Sequence, residues 1–246
     1  MSLLKSVLVT GASRGLGLEF VKQLAANPSC QVIVASCRSP ESAEELNKIC
    51  EKNSKIHLKK LDVNEIDTFP QFAQEVQSLL QNQGLSCLLN NAGVAPKATR
   101  YNLVKVEQME STFKTNVIAP LFLSREFIPM MKENPSLIVN MSSSLGSISN
   151  NKKVMDSGGA GGGQYPYRSS KAALNMVTRS LSIDLQPFQI GVISVHPGWV
   201  RTDMGGPHAK LSPEESCQGV LDFISRFEYS NHTGEFFDHL GNKFPW

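Results

Sequence analysis

Short apolar runs alternate along the chain with longer segments that are apolar on one side only. The apolar runs predict strands at 7–9, 32–35, 56–61, 85–89, 137–139, 190–195 and, as a short last strand, 235–237. The spacing of apolar residues predicts helices at 18–25, 69–80, 117–131 and 169–185, with further helices beginning at Ser39-Pro40 and at a capping box from Ser212 to Glu215. Strands that alternate with helices indicate βαβ units. We therefore predict a parallel sheet that is covered by helices on both faces.

Composition and charge restrict the class of protein. The chain has 246 residues, of which 41% are hydrophobic and 19% charged, so one large core is expected and intrinsic disorder is not. A net charge of +2 does not indicate binding to nucleic acid or to an anionic membrane. No apolar run reaches the ~18 residues of a membrane-spanning helix, and the N-terminus lacks a signal-peptide pattern. We expect a cytoplasmic protein of one domain.

The cysteines indicate a reducing environment. There are five, an odd number, and no pair has C-x-x-C spacing. A disulfide framework and a zinc site are therefore not expected. We predict free thiols and no bound metal.

A glycine-rich loop, residues 10–17, follows the first predicted strand and reads Thr-Gly-Ala-Ser-Arg-Gly-Leu-Gly. Glycines let the backbone turn tightly and approach a pyrophosphate, and the helix that follows offers unpaired N–H groups and the positive end of its dipole. The spacing G-x-x-x-G-x-G differs from the usual G-x-G-x-x-G fingerprint. Glycine-rich turns also occur without a nucleotide, but the position between a strand and a helix favours dinucleotide binding.

The second predicted strand ends at Cys37-Arg38. NAD-selective sites usually carry an acidic residue there, which binds the ribose 2′-hydroxyl. This chain has Arg38 instead, and Arg14 lies in the glycine-rich loop. Guanidinium groups pair with phosphate through two parallel hydrogen bonds, so the two arginines predict NADP(H) in preference to NAD(H). The alternative is that both are solvated surface residues.

Two further patterns suggest catalysis. Tyr167 and Lys171 stand four residues apart in a predicted helix and so share one face. A nearby ammonium stabilises a phenolate, so we expect Lys171 to lower the pKa of Tyr167 from its usual value of about 10. Ser142, Ser143 and Ser144 lie at the carboxyl end of the fifth predicted strand, where doubly wound sheets bind ligands. Each pattern alone is weak, because Y-x-x-x-K arises by chance and serines often serve as turn or cap residues.

A run of glycines separates these two patterns. Residues 157–163 read Ser-Gly-Gly-Ala-Gly-Gly-Gly, too many glycines for regular structure because their backbone entropy is high. We predict a mobile, glycine-rich loop at about 148–164, at the rim of the catalytic cleft. It is either a lid that closes over a substrate or an insertion tolerated at a surface loop.

The motifs taken in order resemble the short-chain dehydrogenase/reductase family over essentially the whole chain. They are Thr-Gly-x-x-x-Gly-x-Gly, Asn-Asn-Ala-Gly, the serine cluster, Tyr-x-x-x-Lys and Pro-Gly. Residues 91–97, 141–143, 167–168 and 196–200 are further similar to the Sniffer-type carbonyl reductases and the C-factor-like reductases. The resemblance implies a single Rossmann-type, doubly wound α/β domain over residues 1–246, with a seven-stranded, mostly parallel sheet and helices on both faces.

The resemblance also implies roles for individual residues. Ser143 would be the catalytic serine, Tyr167 the general acid and Lys171 its activator, and Asn116 would hold a water that links Lys171 to solvent. Asp62 and Val63 would face the adenine, Asn90 the adenosine ribose and Thr202 the nicotinamide carboxamide. The full set of implied cofactor contacts is Gly11, Ser13, Arg14, Gly15, Leu16, Gly17, Arg38, Asp62, Val63, Asn90, Ala92, Gly93, Tyr167, Lys171, Pro197, Gly198, Val200 and Thr202. Ser143 and Tyr167 lie further apart than in the family pattern, and the excess holds the glycine run.

The activity implied is an NADPH-dependent reductase that transfers a hydride to the carbonyl of a small, fairly apolar aldehyde, ketone or quinone. Ser143 and Tyr167 would both donate to the carbonyl oxygen, and Tyr167 would deliver the proton. An NADP-dependent alcohol or steroid dehydrogenase is the alternative. A dinucleotide-sensing regulator without turnover is disfavoured, because it would be expected to lose a residue of the Tyr–Lys pair. We expect a monomer or a homodimer through the helices at 117–131 and 168–186.

Overall fold

A parallel sheet of seven strands runs through the centre of the structure, a computed structural model that describes residues 2–81, 83–97, 99–132, 135–152 and 161–246. The strands are β1 Ser6–Thr10, β2 Val32–Cys37, β3 Ile56–Lys60, β4 Cys87–Asn90, β5 Ser136–Met141, β6 Ile190–His196 and β7 Phe236–Asp238. Their spatial order is β3-β2-β1-β4-β5-β6-β7, and every neighbouring pair is parallel. The order reverses between β1 and β4, which opens a crevice beyond their carboxyl ends. The predicted doubly wound Rossmann-type fold is confirmed.

Helices cover both faces of the sheet. They are α1 Gly15–Ala26, α2 Glu44–Lys52, α3 Phe69–Leu80, α4 Val106–Phe113, α5 Ala119–Met131, α6 Tyr165–Asp184, α7 Pro213–Ser225 and the short α8 Tyr229–His232. One π-helical turn, Lys114–Ile118, joins α4 to α5. None of these helices, in the part of the chain that the structure describes, is both long and apolar enough to span a membrane.

The core lies in two layers, one on each side of the sheet. Along β1, Val7 and Val9 face the layer that contains α1 and α7, whereas Leu8 faces the layer of α3, α5 and α6. In the second layer Phe72 and Phe127 meet edge to face, with ring centroids 6.0 Å apart. Both faces of each central strand are therefore apolar, which is why the strands read as continuous hydrophobic runs.

Some element boundaries differ from the sequence prediction. The capping box is confirmed: Ser212 Oγ accepts from the Glu215 N–H at 3.1 Å, and Glu215 Oε2 accepts from the Ser212 N–H at 2.7 Å. The helix predicted to begin at Ser39-Pro40 does not form there. Residues 40–42 make a separate 3₁₀ turn without a side-chain cap from Ser39, and α2 begins only at Glu44. α6 begins four residues before the predicted start, because Pro166 is tolerated in the first helical turn.

Residues 157–160 of the glycine run, and 153–160 of the predicted loop at 148–164, lie outside the described residues. Of this run the structure describes Gly161, Gly162 and Gly163. Gly162 and Gly163 have φ angles of +73° and +61°, a region that favours glycine. The run therefore leads directly into α6 and its Tyr167.

Candidate active site

A cleft of about 280 Å³ lies at the crevice between β1 and β4. It is lined by residues from the glycine-rich loop, the end of β2, the turn after β4, α6 and the segment after β6. The residues implied as cofactor contacts that line it are Gly11, Ser13, Arg14, Gly15, Leu16, Gly17, Arg38, Val63, Ala92, Gly93, Tyr167, Lys171, Pro197 and Thr202. Segments that are far apart in the sequence thus meet in one cleft.

The glycine-rich loop leaves no room for side chains at two positions. A Cβ at Gly17 would lie 2.1 Å from Gly11 O, and a Cβ at Gly11 would lie 3.0 Å from the Ala92 Cα. Gly11 also has a φ angle of +68°, which L-residues rarely adopt. The loop can therefore bring its backbone N–H groups and the start of α1 close to a phosphate.

Thr10 and Asn91 join this loop to the turn after β4. Thr10 Oγ1 accepts from the N–H groups of Asn91 and Ala92, both at 3.0 Å, and Asn91 Nδ2 donates to Thr10 O at 2.9 Å. Neither side chain was among the predicted site residues. Both stand in the motifs that carry the family resemblance, but only the fold shows that they bond to each other.

Lys171 is buried beside Tyr167 on α6. Its Nζ donates to Met141 O at 2.7 Å and lies 5.6 Å from the centroid of the Tyr167 ring. Burial lowers the pKa of Lys171 to about 8. Burial raises the pKa of Tyr167, and a hydrogen bond with Ser143 acts in the opposite direction. The direction is thus opposite to the expected lowering of the Tyr167 pKa by Lys171, because desolvation of the phenol dominates.

Ser143 and Asn116 stand near this pair without lining the cleft. Ser143 Oγ accepts from the Leu145 N–H at 3.2 Å and so caps the short turn after β5. Asn116, in the π-helical turn, is fully buried. Its Oδ1 accepts from the Val94 N–H at 2.9 Å, and its Nδ2 donates to Val94 O at 2.9 Å and to Ser170 Oγ at 3.0 Å. These bonds fix Asn116 beside α6, and its role toward a water stays a prediction.

The sequence profile of the short chain dehydrogenases matches residues 5–211, which is most of the chain. The chain belongs to the short-chain dehydrogenase family. It is therefore an oxidoreductase with a Rossmann-type fold.

Individual relatives agree with this assignment. The carbonyl reductase Sniffer of D. melanogaster has a TM-score of 0.93 and 36% identity, over 99% of this chain and 100% of that one. An NADPH-bound carbonyl reductase from chicken fatty liver has a TM-score of 0.91 and 36% identity, over 99% and 94% of the two chains. The C-signal protein of Myxococcus xanthus is 38% identical over 160 residues, 65% of this chain and 91% of that protein.

Four implied cofactor contacts of this short-chain dehydrogenase do not line the cleft: Asp62, Asn90, Gly198 and Val200. Asn90 is buried, and its Nδ2 donates to Asn140 Oδ1 at 2.8 Å and to Ser124 Oγ at 3.1 Å. Its side chain thus points between β5 and α5, and the expectation that it faces the ribose is not met. Asp62 Oδ1 accepts from the Asn64 N–H at 2.9 Å, so this carboxylate closes a turn. All four residues stand one or two positions from residues that line the cleft but do not line it themselves.

The segment after β6, residues 199–211, forms an ordered loop at the cleft. Leu211 N–H donates to Trp199 O at 3.0 Å, and Trp199 Nε1 donates to Gly205 O at 2.8 Å. Arg201 Nη1 donates to the carbonyl oxygens of Ala209 and Lys210 at 3.1 and 2.9 Å. Trp199, Met204, Val94 and Ile148 are exposed apolar side chains on this loop and on the segments after β4 and β5.

Among the described residues, no group of three or more His, Cys, Asp or Glu side chains is arranged to hold a metal ion.

Proposed function

We propose that this chain is an NADPH-dependent carbonyl reductase whose substrate is a small, fairly apolar aldehyde, ketone or quinone. The observation that carries the proposal is that Tyr167 and Lys171 line the same cleft as the glycine-rich loop and two arginines. The Sniffer and chicken fatty liver enzymes, both described as carbonyl reductases, support it.

The residues present fit NADP(H) as the cofactor. Gly11 and Gly17 pack against the chain's own backbone with no room for a Cβ, as the tight turn of a pyrophosphate-binding loop requires. Arg14 and Arg38 line the same cleft and supply the guanidinium groups that a 2′-phosphate would pair with. When bound, the nicotinamide supplies the hydride for the carbonyl carbon.

Three side chains of this chain act on the oxygen of the substrate carbonyl. The Tyr167 hydroxyl, whose pKa is raised by desolvation, donates its proton to that oxygen as negative charge develops. The Ser143 side chain interacts with Tyr167 and can donate to the same oxygen. Lys171, with a pKa of about 8, carries its ammonium in most molecules at pH 7, and Met141 O fixes its position. The ammonium offsets the charge that remains on Tyr167 after proton transfer.

A screen of NADPH consumption tests the proposal. Quinones, aromatic aldehydes, isatin-like diketones and ketosteroids are offered with NADPH, and with NADH as the matched control. We expect turnover with NADPH on at least one carbonyl class and a preference for apolar substrates, because apolar side chains surround the cleft. Oxidation of alcohols or hydroxysteroids with NADP in the absence of any carbonyl reduction would favour the dehydrogenase alternative. Binding of NADPH without turnover in either direction would favour the regulator.

Arg14 has a competing partner within the cleft. Its Nη1 lies 3.2 Å from Asp203 Oδ2, and both side chains are largely exposed. Because an exposed ion pair is weak, Arg14 can exchange Asp203 for a 2′-phosphate at low cost. Asp203→Asn is therefore expected to tighten NADPH binding about two- to five-fold. NADH binding should not change, because NADH offers Arg14 no 2′-phosphate.

Fluorescence titration with both cofactors measures this effect. Asp203→Glu, which keeps the charge, is the control and should bind NADPH like the natural chain. Added salt should reduce the difference between the Asn variant and the natural chain. Equal tightening of NADH would mean that Asp203 repels the dinucleotide as a whole and does not compete for Arg14.

A homodimer through α5 and α6 stays part of the proposal. Ile118, Met176 and Ile183 lie exposed on or next to these helices, at 39%, 65% and 60% of their surface. Apolar side chains on two neighbouring helices suit a self-complementary interface. Sedimentation of the natural chain and of an Ile183→Glu variant would distinguish a dimer from a monomer.

A further inference from the structure

The carboxyl end of β5 and one face of α6 are joined by a series of side-chain hydrogen bonds. Consecutive residues at the end of β5 and just beyond it, 140–143, pair with helix positions that are three or four residues apart and so share a face. The first pair is Ser143 with Tyr167, whose pKa burial raises and the Ser143 side chain acts to lower. The hydrogen-bonded pairs are Met141 O with Lys171 Nζ at 2.7 Å, Ser142 Oγ with Asn175 Oδ1 at 2.6 Å, and Asn140 Nδ2 with Thr178 Oγ1 at 2.9 Å.

The proposed mechanism uses the first two of these pairs and leaves Ser142 and Asn175 without a role. Both side chains are buried, at 3% and 4% exposure. Asn175 Nδ2 has no hydrogen-bond partner among the described residues. An unpaired buried amide nitrogen is destabilising, and an apolar residue of similar size would avoid that cost. The nitrogen of Asn175 therefore adds no stability, and the contribution of this side chain lies in the bond that its oxygen makes to Ser142.

The bond from Ser142 to Asn175 holds the residue that directly precedes Ser143. Ser142 is held on two sides, because its N–H donates to Val195 O at 2.7 Å on β6 and its Oγ donates to Asn175 on α6. The turn that follows also packs on α6: a Cβ at Gly146 would lie 2.7 Å from the Lys171 Cβ. The strand end and the helix are thus in direct contact, and the Ser142–Asn175 bond fixes how they lie relative to each other.

We propose that Asn175 is a positioning residue for catalysis, which acts through Ser142 to fix the placement of Ser143 relative to Tyr167. Asn175 bonds to Ser142, stands one helical turn beyond Lys171 and does not line the cleft. The inference rests on the proposed function, because it assigns catalytic roles to Ser143 and Tyr167. Small displacements matter at such a site, since a shift of about 1 Å can cost ~10²-fold in rate.

The test replaces Asn175 with leucine, which keeps the volume and removes the bond to Ser142. We expect kcat for the best substrate of the screen to fall about 10- to 100-fold. KM for that substrate and Kd for NADPH should stay as in the natural chain, because Asn175 touches neither. The melting temperature should stay close to that of the natural chain, because removal of the unpaired amide offsets the loss of the bond to Ser142 Oγ, which keeps Lys171 O at 3.5 Å as an acceptor. A merely structural role for Asn175 would leave kcat unchanged.

Two further variants test whether the effect comes from the Ser142–Asn175 bond. Ser142→Ala removes the same bond from the strand side and should lower kcat by a similar factor, while the double variant should be no slower than either single one. Thr178→Val is the matched control on the same helix face. It loses the bond to Asn140, so the melting temperature should fall while kcat holds. If Asn175→Leu does not fold, the kcat of Ser142→Ala alone tests the inference.

A kcat at the natural level in both Asn175→Leu and Ser142→Ala overturns the inference. A double variant whose loss equals the product of the two single losses overturns it as well, because the residues would then act separately. Tyr167→Phe is measured on the same substrate. If that variant keeps its turnover, the proposed function has failed; if it loses turnover while Asn175→Leu does not, only the positioning role has failed.

Discussion

Tyr167→Phe is expected to abolish carbonyl reduction and to leave NADPH binding nearly unchanged. The phenylalanine ring keeps the packing of Tyr167 beside Lys171 but has no proton to donate to the carbonyl oxygen. A positioned proton donor typically contributes ~10²–10⁴-fold to the rate, so kcat should fall by that factor. Turnover is measured by NADPH consumption and binding by NADPH fluorescence. A variant that retains more than about a tenth of the natural kcat would show that Tyr167 is not the acid.

Tyr165 provides a matched control for this experiment. It begins the same helix two residues earlier, it is 46% exposed, and the position four residues beyond it is Ser169, not a lysine. Tyr165→Phe removes an identical hydroxyl from the same turn and should leave both kcat and NADPH affinity unchanged. A loss of activity in both variants would indicate that the start of α6 is sensitive to any change.

The fold was predictable because, in a doubly wound sheet, the apolar runs that favour strands are also the segments that the sheet buries on both faces. In runs such as 137–139 successive residues, which point to opposite faces of a strand, are all apolar. This pattern is typical of a strand that is covered on both faces of the sheet. Boundaries were less predictable where the chain makes a short turn of its own. Ser39-Pro40 has the composition of a helix start, yet the 3₁₀ turn at 40–42 uses it, and α2 begins beyond it. Both conformations satisfy the same residue preferences, so composition alone cannot separate them.

The site was predictable at the level of loops and less so at the level of side chains. Gly11 and Gly17 could be assigned to the cofactor loop from the sequence, because glycines at this spacing indicate that one backbone segment packs closely against another. Asn90 could not, because its amide turns away from the cleft toward Asn140 on the neighbouring strand. Asn175 gave no signal in the sequence, since its partner Ser142 is adjacent only in the folded chain. Contacts between distant segments carry the information that is missing from the sequence.

Reversal of the charge at Arg38 is expected to move cofactor preference from NADPH toward NADH. Arg38 is exposed and lines the cleft at the end of β2. Arg38→Asp removes a phosphate partner, which costs roughly 1.5–3 kcal/mol, or about 10- to 150-fold in affinity for NADPH. The new carboxylate also repels the 2′-phosphate and can accept from the ribose hydroxyl of NADH. We therefore expect the ratio of kcat/KM for NADPH to that for NADH to fall by at least that factor.

Two companion variants separate the causes of this change. Arg38→Ala removes the partner without adding repulsion, so it should weaken NADPH without improving NADH. Lys132→Asp makes the same change of net charge at the end of α5, near the amino ends of the strands and away from the cleft, and should leave the ratio unaltered. An unchanged ratio in Arg38→Asp would mean that Arg38 is a solvated surface residue. The selection of the 2′-phosphate would then fall to Arg14, whose exchange with Asp203 would become the main determinant of cofactor choice.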